Sequence, residues 1–262
     1  MLTFATRRRL VRAPGVVFAF ALAPVLSLLL GGVPGCAGAE ATPAQAAGAA
    51  TATPETGARA ELNAPFLAQD VDVPAWVERF EGESREIAAA RAGIAGTLQL
   101  GAGMAVADVG AGTGLFLEPL AAAVGPHGTV YAVDISPAFI QHIRERADKE
   151  GLDQVMPVLC TDRSAGLPAA SVDALLVCDT YHHFEHPRDT LASLHEALRP
   201  DGLLVVVDFE RVPGSSRDWV LEHVRAGKEA VVAEIEAAGF RLQDQPPVAG
   251  LKENYVLRFR RQ

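Results

Sequence analysis

From Met104 onward the chain repeats one unit: a short, nearly continuous apolar run followed by a stretch with helical periodicity. The runs are residues 105–109, 130–133, 155–159, 174–178 and 203–209. They do not alternate apolar with polar, so each predicts a strand covered on both faces. Helix signals lie between them. Ser136-Pro137 is an N-cap followed by proline at the first helical position. Phe139, Ile140, Ile143 and Ala147 then form an apolar stripe, and Gly151 closes the segment. Pro187 opens another helix, with Leu191, Leu194 and Leu198 facing inward and a stop at Arg199-Pro200-Asp201-Gly202. Pro119 falls within the helix after the first strand and should kink it or delay its start. Such alternation predicts an α/β fold in three layers, a parallel sheet with helices on both faces. The end of the chain differs. Residues 240–242 and 255–260 have no long helix between them, and Tyr255, Leu257 and Phe259 alternate with Val256, Arg258 and Arg260. A half-exposed antiparallel pair is expected there. Residues 76–98 read as one helix lying across the top of the sheet.

The 262 residues are ample for a core, and 49% hydrophobic content with only three Cys excludes disordered and disulfide-scaffold classes. A net charge of −9 argues against a nucleic-acid partner that tracks phosphates. The charge is uneven. Arg7, Arg8, Arg9 and Arg12 are the only charges before Glu40, and setting these four of the 23 basic residues aside leaves 19 against 32 acidic ones. Residues 13–35 carry no charge at all. A basic start and an apolar run predict an export signal or membrane anchor over residues 1–36, with the body facing outward. Thr6-Arg7-Arg8-Arg9-Leu10-Val11 resembles a twin-arginine signal, and Val33-Pro34-Gly35-Cys36 resembles a lipobox in which Cys36 is lipidated, Pro34 departing from the usual pattern. A true transmembrane helix is the competing reading, weakened by Pro14, Pro24 and Gly31-Gly32. Residues 37–60, rich in Ala, Gly, Thr and Pro, are expected to form a flexible linker to a folded domain at 61–262.

Asp108-Val109-Gly110-Ala111-Gly112-Thr113-Gly114 sits where the first strand becomes the first helix, the position at which open α/β sheets bind ligands. Its G-x-G-x-G spacing, with Leu at 115, departs from the G-x-G-x-x-G of dinucleotide folds. Asp134 ends the second strand 20 residues after Gly114, where a carboxylate accepts hydrogen bonds from both hydroxyls of a ribose. A nucleoside without a phosphate at that point suits this acid.

Val106 through Gly114, with Ala132-Val133-Asp134, resembles class I S-adenosylmethionine-dependent methyltransferases. The resemblance runs on through Asp162, Asp179-Thr180-Tyr181-His182-His183-Phe184, Leu198-Arg199-Pro200-Asp201-Gly202 and Ala237-Ala238-Gly239-Phe240, covering roughly 80–262. It implies a Rossmann-like seven-stranded sheet, mostly parallel with one antiparallel strand. It also implies S-adenosylmethionine as cofactor, with S-adenosylhomocysteine as its product, and a small-molecule methyl acceptor. Gly110, Gly112 and Gly114 would frame the methionine moiety, Asp134 the ribose and Asp162 the adenine amine. Ala111, Ile135, Thr161 and Asp179 complete the implied cofactor set with Asp108, which either positions the glycine loop or meets the cofactor's amino group through water, or simply caps the turn. If the acceptor must lose a proton, Tyr181, His182, His183 and Asp179 are nearest by position. The family's cofactor is made in the cytoplasm whereas the leader points outward, so a catalytically inactive extracytoplasmic binding module for S-adenosyl or other nucleoside-type molecules is the alternative reading.

Other features carry less. His182-His183-Phe184-Glu185-His186 matches the H-x-x-E-H string of zinc peptidases, but Pro187 pushes His186 out of helical geometry and no metal site is expected. Cys160 and Cys178 close strand-like runs and read as packing residues, with a disulfide between them left open. Arg79, Glu83 and Arg85 read as a solvated helical face rather than as a closure over the cofactor.

Overall fold

The computed structural model describes residues 57–82 and 85–262. The leader and the linker up to residue 56 lie outside the described residues, as does Glu83. Residues 57–60, assigned to the linker by composition, are part of the fold: Ala58 is buried and donates its amide to the Phe184 carbonyl at 2.7 Å. Among the described residues no helix is long and apolar enough to cross a membrane.

Seven strands form one sheet: β1 (Ala105–Val109), β2 (Thr129–Asp134), β3 (Val155–Leu159), β4 (Val172–Cys178), β5 (Leu198–Phe209), β6 (Phe240–Asp244) and β7 (Asn254–Arg261). Their order is β3-β2-β1-β4-β5-β7-β6. β7 runs antiparallel to both β5 and β6, and the other pairings are parallel. The seven-stranded sheet with one reversed strand is the one the family resemblance implies. Among the described residues eight α-helices accompany it: α1 (Ala64–Leu67), α2 (Val73–Glu81), α3 (Glu86–Gly96), α4 (Leu117–Val124), α5 (Pro137–Glu150), α6 (Pro187–Ala197), α7 (Asp218–His223) and α8 (Lys228–Ala237).

The pleat divides each central strand between two cores. Val106, Val130, Leu176 and Val205 face Ile87 and Ile94 of α3, Leu117 and Leu120 of α4 and Ile143 of α5. Ala107, Leu175, Leu204 and Val206 face Leu191 and Leu194 of α6 and Ile235 of α8. Helix ends follow local chemistry. The Ser136 hydroxyl accepts from the Phe139 amide, and Gly151 caps α5 in the left-handed region. Pro119 lies in the first turn of α4, so it delays the helix rather than kinking it.

Tertiary structure alters four local expectations. β3 is an edge strand, with Met156 and Leu159 half exposed, because no strand follows it in the sheet. β7 lies inside the sheet with β6 at the edge, so Val256 is buried along with Tyr255 and Leu257, and only the arginine-rich end of β7 is partly wet. Residues 199–202, expected to stop a helix, begin β5, whose Leu198 pairs with Val172. The single helix expected over 76–98 is two: α2 ends at Glu81, and both Gly82 and Arg85 have extended backbone.

Removing a fully buried side chain leaves a cavity as well as losing its transfer energy. Leu176→Ala is expected to lower the unfolding free energy by ~2–5 kcal/mol in urea titrations, whereas Met156→Ala on the exposed edge should change it by no more than ~0.5 kcal/mol.

Candidate active site

The loop after β1 hangs from the end of β2. The amides of Gly110 and Ala111 both donate to the Val133 carbonyl, at 2.8 and 3.0 Å, and the Gly112 amide donates to Asp134 Oδ2 at 2.7 Å. Three consecutive N–H groups are thereby spent inside the protein, unlike a phosphate cradle, whose amides must point at the ligand. Gly110 has φ +78°, and a Cβ there would stand 2.3 Å from Thr180. Gly114, at φ +88°, would place one 2.7 Å from Leu117. The first glycine keeps the loop against β4's end, and the last packs the loop onto α4.

The loop borders a cavity of about 900 Å³ at the carboxyl ends of the strands. Asp108, Gly110, Ala111, Gly112, Asp134, Ile135, Thr161, Asp162 and Asp179 all line it; Gly114 does not. Among the described residues neither Asp108 nor Asp134 has a cationic side chain paired with it. Asp108 Oδ2 has no hydrogen-bond partner among the described residues, and burial, reinforced by the nearby Asp134 charge, pushes the Asp108 carboxyl up to about 7. Burial pushes Asp134 up to about 6 against the opposing hydrogen bonds from Ser136, Gly112 and Ile135. Each Asp134 oxygen accepts one backbone N–H, from Gly112 and from Ser136, which leaves lone pairs for two ribose hydroxyls. An orphaned carboxylate oxygen beside a ribose-type acceptor fits a nucleoside that carries positive charge.

Asp179 is engaged by the protein itself. It pairs with the Arg85 guanidinium and accepts from Asn254 Nδ2 at 2.6 Å, and burial nonetheless raises its carboxyl to about 6. Arg85 is therefore no solvated residue, and Arg79, stacked 4.9 Å from the Trp76 ring, lines the cavity with it. Asp162 is partly exposed, with Oδ2 3.3 Å from His186 Nε2. Tyr181, one of the expected proton acceptors, turns away from the cavity: it is fully buried and donates to Glu234 Oε2 at 2.7 Å. Cys160 and Cys178 are both free thiols, so the disulfide left open by the sequence does not form. Burial pushes Cys160 up to about 12, which disfavours its thiolate form.

An aromatic wall closes the other side. Phe66 of α1 and Trp76 of α2 lie 4.9 Å apart between ring centres, and Trp76 and Phe80 lie 5.0 Å apart. Glu81 ties α2 to the glycine loop by accepting from Thr113 Oγ1 at 2.6 Å and from Arg146 at 2.7 Å. At the start of α3, Glu86 accepts the amides of Lys252, Glu253 and Asn254. Facing this wall are His182, His183 and His223, with Phe209 stacked edge-on at 5.0 Å from Trp219 of α7.

The H-x-x-E-H string forms no helix. Residues Tyr181–His183 make a 3₁₀ turn, and His186 caps α6. His182 Nδ1 lies 2.7 Å from Asp208 Oδ1, with both side chains buried. Burial by itself would lower the His182 pKa, but the Asp208 charge and hydrogen bond outweigh it and the net direction is up. His183 is driven down to about 2 by burial, then by His182 and His223. His223 is lowered by burial, then by His182 and Arg79. Sequence reasoning missed Asp208, His223 and Asn63. Asp208 had a signal, since it stands near the carboxyl end of a strand next to the cavity; the other two come from segments without a motif.

Comparison with known proteins agrees with the geometry. Residues 107–204 match the family described as Methyltransferase domain. Nocamycin O-methyltransferase of Saccharothrix syringae is 32% identical over 52% of this chain and 49% of its own. A ubiquinone/menaquinone biosynthesis C-methyltransferase of Bordetella parapertussis is 30% identical over 52% of this chain and 54% of its own. The chain thus spans about half the length of the curated relatives it matches. A crystal structure of a SAM-dependent methyltransferase from Aquifex aeolicus superposes with a TM-score of 0.63 at 25% identity, covering 71% of this chain and 97% of that one. Sheet order, glycine loop and these matches define a class I, Rossmann-like fold. Residues 107–204 carry a methyltransferase domain by that match, and the whole fold is similar to that of S-adenosylmethionine-dependent methyltransferases.

Two substitutions probe the floor of the site. In the ligand-free protein at pH 8, Asp108→Asn should raise stability by ~1–3 kcal/mol, the scale set by an unpaired buried polar group. The sign follows from linkage. The native pKa lies above the unfolded one, so the native state holds the proton more tightly and loses stability as pH rises from about 4 through about 7. The stability difference between denaturant melts at pH 5 and pH 8 should therefore shrink in the Asn variant, the remainder belonging to Asp134 and Asp179, which burial also raises. Gly110→Ala should destabilise by ~1–3 kcal/mol through its left-handed backbone and its contact with Thr180.

Proposed function

We propose that this protein transfers a methyl group from S-adenosylmethionine to a small, largely apolar, planar acceptor bearing a hydroxyl, by in-line displacement. The observation that carries the reading is the pair of under-neutralised carboxylates, Asp108 and Asp134, set beside a cavity with an aromatic wall. When bound, the cofactor supplies an electrophilic methyl group on a sulfonium. Asp134 would accept the ribose hydroxyls, and Asp108 would face the positive charge. Ala111 and Gly112 present backbone close to the ligand, where side chains would obstruct it. Phe66, Trp76 and Phe80 would stack on the acceptor and exclude water, which shields the transfer from hydrolysis and sets the near-linear approach. Curated relatives named O- and C-methyltransferases support transfer to a small molecule. The arginine-rich, apolar leader supports work outside the cytoplasm, with the membrane reached only through that leader or a lipidated Cys36.

Calorimetric titration of the full chain with S-adenosylmethionine and S-adenosylhomocysteine tests the reading. Both should bind, and Asp134→Ala should weaken each by ~1–3 kcal/mol, about 5- to 150-fold. Preference for the sulfonium form should grow as pH rises through about 7, because Asp108 gains its charge there and a bound cation favours the ionised carboxylate. Binding of neither ligand would end the proposal. Binding without transfer to any hydroxylated aromatic acceptor would favour a binding module instead. Cell fractionation that finds the mature protein only in the cytoplasm would refute the extracytoplasmic address.

A further inference from the structure

We infer that His182, His183 and His223 form a three-imidazole site for a borderline divalent cation of the zinc class, with its fourth position open to the cavity. One ring nitrogen from each residue lies within 4.8 Å of the other two. Zinc–nitrogen bonds of about 2.0–2.1 Å place tetrahedral ligands about 3.4 Å apart, so closure asks for ring movements on the order of 1 Å. His223 supplies that freedom, as the last residue of the six-residue α7 and only partly buried.

The two remaining rings are already oriented. His182 Nδ1 faces the Asp208 carboxylate, whose oxygens also accept the His182 and Phe209 amides. Asn63 Nδ2 donates to the His183 carbonyl at 3.0 Å and to Glu185 at 2.8 Å, which fixes its Oδ1 toward His183 Nδ1 at 3.0 Å. In both rings the Nδ1 proton is therefore held by an outer acceptor and the lone pair belongs to Nε2. That arrangement is how protein metal sites fix the tautomer and raise the basicity of their histidines. A general base needs one imidazole and one orienting carboxylate. That role would use His182 and Asp208 and leave the Asn63 lock and His223 without a purpose. Three imidazoles with no thiolate suit zinc, copper or nickel rather than magnesium or calcium. Three protein ligands with an open position is the catalytic arrangement.

The cation site stands on this geometry. Its use rests on the methyl-transfer reading: the acceptor hydroxyl takes the open position and loses its proton to water near neutral pH. That oxygen then bonds to the methyl carbon while the carbon–sulfur bond breaks with its electron pair left on sulfur. No oxidant or reductant is required.

The test uses the full chain without an oligohistidine tag, stripped by chelator and dialysed against ZnCl2, with CoCl2 as a spectroscopic probe. One equivalent of Zn2+ per chain is expected, together with visible Co2+ bands of four-coordinate intensity. His223→Ala and His183→Ala should each weaken binding at least ~10-fold, and Asp208→Asn ~10- to 100-fold with all three ligands retained. His186→Ala, in the neighbouring Asp162–Glu185–His186 group, should leave binding unchanged. Less than stoichiometric metal, insensitivity to His223→Ala, or loss with His186→Ala would overturn the site. His223 is partly exposed on a short helix, so its variant should keep the parent's circular dichroism and carry the test even if Asp208→Asn fails to fold. Metal binding is read without nucleoside present. Its failure would leave the S-adenosylmethionine titration standing, and failure of that titration would leave the metal count standing.

Discussion

The short chain of hydrogen bonds between the end of β2 and the glycine loop organises the rest of the site. Val133 accepts two loop amides and Asp134 a third, so the turn after β1 is locked to its neighbouring strand before any ligand arrives. The same bonds leave those amides unavailable to a phosphate. They also fix Asp134 with one oxygen on the loop and one on the N-terminus of α5. The direction of its backbone donors, beyond the spacing of its glycines, thus sets this loop apart from a phosphate-binding turn.

Around that lock the protein carries an electrostatic debt. Asp108, Asp134 and Asp179 are buried along one cavity, and among the described residues only Asp179 of the three has a guanidinium partner. Burial raises all three carboxyls because the charged form is poorly solvated. A positively charged ligand relieves this, and sites that withhold their own counter-ion in this way trade stability for affinity. The Glu81–Arg146 and Arg85–Asp179 pairs hold the aromatic helix α2 and its following turn over the same opening, so the wall and the acidic floor are parts of one polar framework.

Much of the fold is legible from local pattern. Uninterrupted apolar runs encode the central strands because both faces are covered. Ser136, Pro137 and Gly151 encode the ends of α5 because capping acts within one turn. The glycine loop and Asp134 are likewise readable, since a turn and the strand end it meets need only backbone geometry and one carboxylate. What the pattern misread depended on neighbours. The burial of Val256 on β7 reflects two flanking strands, and the exposure of Met156 on β3 reflects a missing one. No residue's own chemistry reports either fact.

The functional side chains divide the same way. Sequence alone determined an α/β sheet, a glycine loop at its switch point and the carboxylate at the end of β2 that meets it, because these rest on short-range periodicity and on the needs of a turn. Only the tertiary structure decided that Tyr181 faces Glu234 while His182 beside it faces the cavity, since a 3₁₀ turn sends successive side chains in different directions. Only the fold brings Asn63, Asp208 and His223 to the same two histidines, from segments 26 to 120 residues away. Their meeting depends on chain crossings over the sheet, and a linear pattern does not encode distance between segments so far apart.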